Sequence, residues 1–266
     1  MKNLAKIYLV TALITLSCAN EKKINESQLT SFVNPFVGTG GHGHTFPGAS
    51  MPFGMMQLSP DTRLDGWDGC SGYHYSDSYI YGFSHTHLSG TGILDYGDIL
   101  LMPTNKINFN NGSDGNNGYR SAFSHQNETA SPGYYSVHLD DTDIDVSLTV
   151  SERSGIHHYK FPPNSDQVII LDLTHRDQVI DSNLNLENSA HISGYRFSSS
   201  WANDQRVFFD MVFSRPYSKV VIEDDEQNGK SVRAAFVFDS LDSNELEVRV
   251  GISAVDELGA LKNRTH

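Results

Sequence analysis

Cysteine is nearly absent from this chain: of 266 residues only Cys18 and Cys70 carry a thiol. A disulfide framework is therefore excluded as the source of stability, and a hydrophobic core has to supply it. Basic residues are also scarce, 19 against 32 acidic ones, for a net charge of −13 and a pI near 5.2. Phosphate backbones are bound by stripes of lysine and arginine, so a nucleic-acid surface is excluded. Long apolar runs are missing too. The longest, residues 7–16, is too short to cross a bilayer comfortably. Before residue 255 no apolar pattern of helical period continues beyond two turns.

The N-terminus has the form of an export signal. A positive start with Lys2 and Lys6 leads into the apolar run, and Ser17-Cys18 follows. A cysteine directly after such a run predicts lipidation of Cys18, which would also remove it from any disulfide. Thr15 stands where that pattern has an aliphatic residue, so ordinary signal cleavage stays open. Residues 1–18 are assigned to the signal, and the polar residues 19–31 to a tether between anchor and domain. The expected location is outside the cytoplasm, periplasmic or anchored to the outer membrane.

From residue 134 onward the chain alternates in the manner of β-strands. Tyr135, Val137 and Leu139 share one face, then Ile144, Val146, Leu148 and Val150 share another. Further runs at residues 156–161, 167–173, 194–199, 206–214, 231–239 and 245–253 are rich in Val, Ile, Phe and Tyr. They are parted by Gly, Pro, Asn and Asp. Strands repeating without intervening helices predict an all-β fold, a large sandwich of antiparallel sheets. The asparagine-rich residues 105–117 are expected to form a mobile surface loop, and residues 258–264 to open a helix.

Residues 33–103 differ from the rest. They contain no lysine and concentrate glycine, histidine, aromatics and aspartate, a composition suited to a pocket for a polyhydroxylated ligand. Trp67 lies between Asp65 and Asp68, where an indole face can pack on a pyranose while carboxylates accept its hydroxyl hydrogens; capping the edge of the core is the other use for it. Trp201 belongs to no motif. Cys70 either lines the pocket or simply packs. Two His-x-His pairs, His42/His44 and His85/His87, can each present two imidazoles on one side of a strand. Neither is followed by the glutamate that would complete a metal set, so no metal ligand is named and sugar hydrogen bonding or loop bracing is preferred. Asp61, Asp65, Asp68, Asp77, Asp95 and Asp98 offer carboxylates, but a glycosidase pair must stand roughly 6.5–9.5 Å apart for inversion, and spacing in sequence cannot place one.

Four blocks within this run, NPFVGTGGHGHTFPGA from Asn34, PFGMMQLSPDTR from Pro52, GWDGCSGYHYSD from Gly66 and YGFSHTHLSGTG from Tyr81, closely resemble the N-terminal domain of glycoside hydrolase family 92, the calcium-dependent exo-α-mannosidases. The resemblance implies a supersandwich akin to galactose mutarotase over residues 32–254. Residues 255–266 would begin a linker to a helical catalytic domain absent from this sequence. That domain would carry the acid, the base and most calcium ligands, so no catalytic residue is carried over. It implies a mannose-containing glycan as partner, with the aromatic Trp67 bordering it. Alongside Trp67, the residues His44, Asp61, Arg63, Asp68, Cys70 and His85 of the same segment are expected at the sugar. A stand-alone carbohydrate-binding lipoprotein without catalysis is the alternative, and a metal-binding β-sandwich enzyme built on the His-x-His pairs is a third.

Overall fold

The computed structural model describes residues 29–266 except Asp242. The expected signal (residues 1–18), Cys18 and most of the expected tether lie outside the described residues. Of the tether, residues 29–31 are exposed and run into a single 3₁₀ turn, Thr30–Phe32. Among the described residues no helix is long and apolar enough to cross a membrane.

Eighteen strands follow. They are β1 (Ala49–Ser50), β2 (Gln57–Asp61), β3 (Tyr79–Ile80), β4 (Gly82–Ser84), β5 (Leu100–Thr104), β6 (Ser121–Ala122), β7 (Glu128–Ser131), β8 (Tyr134–Leu139), β9 (Ile144–Val150) and β10 (Ser154–Lys160). The remainder are β11 (Gln167–Asp172), β12 (Gln178–Asn188), β13 (His191–Ser199), β14 (Gln205–Phe213), β15 (Lys219–Ile222), β16 (Asn228–Gly229), β17 (Arg233–Phe238) and β18 (Glu245–Ser253). One antiparallel sheet runs β1-β2-β4-β5-β11-β17-β15, and the other β16-β12-β13-β14-β18-β10-β9-β8-β7. A two-stranded ribbon, β3-β6, stands apart.

The alternation in the sequence is the cause of this architecture. In β8 and β9 every second residue is buried, and Leu139 pairs with Ile144 across a turn where Asp143 takes φ 55°. The inner faces of the two sheets share one core, seen where Phe213 of β14 packs within 5.3 Å of Phe236 and 5.2 Å of Phe238 of β17. Strands β5 and β11 are buried along their whole lengths, which is why they read as continuous apolar runs.

One strand departs from the sequence reading, and two expected segments carry detail beyond it. Strand β12, at 11 residues the longest, was hidden by its Asn, Asp and Glu content. Its outer neighbour is the two-residue β16, and only its Val179, Ser182, Leu184 and adjoining inward positions need to be sheltered. Residues 105–117 form a surface loop braced by its own side chains. Asn110 Oδ1 accepts from Gly112 N, Asn111 Oδ1 from Ser113 N and Asp114 Oδ1 from Asn116 N, a series of side chains bracing successive turns. The C-terminal helix α1, Glu257–Thr265, is capped by Asp256 accepting from Gly259 N at 2.6 Å. It packs Ala260 on β18 at Gly251, where any Cβ would lie 2.2 Å from the Ala260 carbonyl oxygen.

Candidate functional site

Three glycine-rich loops meet around Trp67. The indole opens a 3₁₀ turn, Trp67–Gly69, entered through Gly66 at φ 79°. It is 63% exposed and lies so close over Gly92 that a Cβ there would sit 2.2 Å from the ring. His44 meets it edge-on at 5.0 Å. His44 adopts φ 55°, unusual for a residue with a side chain, and its carbonyl accepts from Gly90 N at 2.6 Å. The next residue of the turn, Asp68, accepts from His42 Nδ1 at 2.6 Å and lies 3.3 Å from His44 Nε2. Hydrogen bonding from His42 holds the Asp68 carboxyl below its usual range.

The turn is fastened from beneath. Arg176 Nη2 donates to Gly69 O at 2.6 Å and Cys70 O at 2.9 Å, and Gly72 O accepts from Thr62 N and Arg63 N. Gly72 is required: at φ 84°, a Cβ would stand 2.4 Å from Asp61 Oδ1. Asp61 is fully buried, with His87 Nε2 at 3.2 Å, Ser84 N at 3.2 Å and His175 Nε2 at 3.5 Å. Burial alone would raise its pKa. The facing His87 and His175 outweigh that and hold the carboxyl well below the usual range.

His85 is likewise fully buried, and its protonation is legible from its partners. Nδ1 lies 2.5 Å from the Ile99 carbonyl and so carries the proton; Nε2 must accept, and His157 Nε2 donates to it across 3.0 Å. Tyr159 Oη then donates to His157 Nδ1 at 2.7 Å. Burial lowers both imidazoles, His85 to about 4.

Trp67, His44 and Asp68, expected at the sugar, lie side by side with His42, the indole and His42 exposed and His44 buried. Arg63 lies beside them, half-buried, with Asp77 and Ser76 as partners. Cys70 is buried, donates its thiol to Thr91 O, and has its pKa raised by that burial. Asp61 and His85, also named at the sugar, have no exposed surface and brace the loops through Ser84, His87 and Ile99. Missed altogether were His175 and Arg176, and the buried Arg196, which binds Asp98 at 2.5 Å, Asp177, and Leu173 O at 3.0 Å. The cluster Thr174-His175-Arg176-Asp177 at the end of a buried strand was the available signal. Trp201, 74% exposed, lines a mainly apolar cavity of about 320 Å³ with Leu88, Thr91, Ile93 and Tyr96, bordering the loop on which Trp67 rests. A more polar cavity of about 400 Å³ opens elsewhere, among Tyr79, Lys106, Asn116 and Arg120.

The sequence model of the glycosyl hydrolase family 92 N-terminal domain matches residues 32–253. The chain belongs to this family. Among family 92 structures, an alpha-mannosidase from Bacteroides thetaiotaomicron in complex with mannoimidazole superposes with a TM-score of 0.82 at 36% identity. The match covers 90% of this chain and 34% of that one. The family 92 glycosyl hydrolase ccman5 gives 0.76 at 27% identity, over 88% of this chain and 33% of that one. A secreted glycosidase of Arthroderma benhamiae is 32% identical over 163 residues, 56% of this chain and 20% of its own length. The family 92 domain described here thus spans about a third of the solved enzymes it resembles.

Proposed function

We propose that this chain is the carbohydrate-binding N-terminal part of an exported, exo-acting α-mannosidase that removes terminal α-linked mannose from glycans, N-glycans among them. One observation carries the reading: an exposed indole, Trp67, held on a fastened turn between a carboxylate, Asp68, and an imidazole, His44. The ring offers an apolar face to sugar C–H groups, and the flanking groups offer acceptors and donors to hydroxyls. Relatives named as mannosidases support the choice of mannose.

In this reading Trp67, His44, Asp68 and Arg63 form one wall of a shallow pocket, with Cys70 behind it. The acid, the base and the calcium ion belong to a helical domain joined in cis beyond the β-sandwich. The donors of this chain are a poor match for calcium: among the described residues, the cluster of three candidate ligands is His42, His44 and Asp68. Two are imidazoles, whereas calcium takes six to eight oxygens. Within the sandwich the residues bind and orient, and no proton transfer is assigned to them. Export follows from the N-terminal signal, with Cys18 as lipid anchor.

The test compares the isolated chain with its fusion to a family 92 catalytic domain. Release of mannose from an α-mannoside is expected from the fusion with calcium and not from the chain alone, because acid and base are both needed for most of the rate. Hydrolysis by the chain alone at rates typical of glycosidases overturns the reading.

A further inference from the structure

The His42-x-His44 pair lacks a carboxylate in its own segment, but the fold supplies one from a different loop. His42 Nδ1, His44 Nε2 and a carboxylate oxygen of Asp68 all lie within 4.8 Å of one another. We propose that His42, His44 and Asp68 form a binding site for a borderline divalent transition-metal ion of the zinc class, separate from the calcium of the catalytic half.

The donor set selects the ion. Two neutral imidazoles and one carboxylate suit zinc, cobalt or nickel, while calcium and magnesium prefer all-oxygen shells. Two of the three ligand spacings can be set against a tetrahedral centre. Zn–N bonds near 2.0 Å put neighbouring ligand atoms about 3.3 Å apart, and His44 Nε2 already stands 3.3 Å from Asp68 Oδ1. His42 Nδ1, at 2.6 Å, is hydrogen-bonded to that same oxygen and must retreat by about 0.7 Å as the metal replaces the proton.

It is free to do so. The His42 side chain is 79% exposed, and Gly41 before it has open space around its Cα. By contrast, His44 is 6% exposed and fixed edge-on to Trp67. One rigid imidazole, one carboxylate on a fastened turn and one adjustable imidazole would grip the ion from the protein side. The fourth coordination position would face solvent beside the indole. The inference does not rest on mannose binding, since metal uptake needs no sugar.

The experiment titrates the purified chain with Co²⁺ and Zn²⁺, following the visible ligand-field bands of cobalt and the heat of zinc binding, with Ca²⁺ as control. One equivalent should bind, with tetrahedral cobalt bands. His42→Ala and Asp68→Asn should each weaken binding more than about tenfold. His42 is exposed, so its variant should keep the wild-type circular dichroism and thermal midpoint, and loss of binding there reads the site. Absence of cobalt bands in the wild type, or unchanged zinc affinity in folded His42→Ala, overturns the proposal. So does calcium competing with zinc on equal terms.

Discussion

The imidazoles of His85 and His157 face each other Nε2 to Nε2 at 3.0 Å, sealed from solvent, in a hydrogen-bond series that only neutral rings can complete. Tyr159 donates at one end and the Ile99 carbonyl accepts at the other. A proton added to His85 has no acceptor, because its Nε2 already faces a donor.

Stability should therefore fall with acid in a window set by these histidines. His85 drops from 6.5 to about 4 on folding, so the folded state binds fewer protons than the unfolded one. Its contribution is fully present above pH 6.5 and is lost as pH falls toward 4, by about 3 kcal/mol for this group alone. Urea midpoints measured between neutral pH and pH 4.5 should decline. A flat profile across that range would show that the pair is not held neutral.

Trp67→Ala should abolish detectable mannose binding while leaving the fold intact, because the indole is on the surface of a turn held by other residues. An aromatic platform contributes about 1 kcal/mol beyond area burial, and half a pocket binds weakly, in the millimolar range or worse. Chemical shifts induced by mannose report the result. Unchanged shifts in the folded variant would move the pocket away from Trp67.

Gly72→Ala should cost about 3 kcal/mol or more, combining a left-handed backbone with a Cβ forced onto Asp61. Gly41→Ala is the comparison, with φ 57° but nothing within 4 Å, and should cost about 1 kcal/mol. Thermal unfolding of the two variants settles the difference; equal losses would mean that Gly72 is not a packing constraint.

Cys18→Ala should release the protein from membranes. Several acyl chains anchor firmly where one does not, so fractionation of wild type and variant gives a clear contrast. A variant still sedimenting with membranes would remove Cys18 as the anchor.

Strands with alternation, such as β8 and β9, were legible because one face of each is buried, and the pattern records that directly. Strand β12 was not, since near a sheet edge its polar residues need no shelter. At the candidate site, the nearness of Trp67, His44 and Asp68 was expected from residue type and crowding within one segment. His175, Arg176 and Arg196 were passed over because their meaning lies in pairing with Asp61, Gly69 and Asp98, far away in the chain. Burial separates Asp61 from Asp68, and composition carries no record of depth.

The Gly69–Cys70 carbonyls wait for an arginine 107 residues downstream, and Asp98 for partners 98 and 107 residues further on. A chain emerging from its N-terminus first would expose the whole glycine- and aromatic-rich segment before Arg176, Arg196 and Gln205 arrive. Contacts this remote in sequence close slowly. Until β14 forms, these loops lack the arginine and glutamine partners that hold them and remain an open, aggregation-prone stretch of polypeptide.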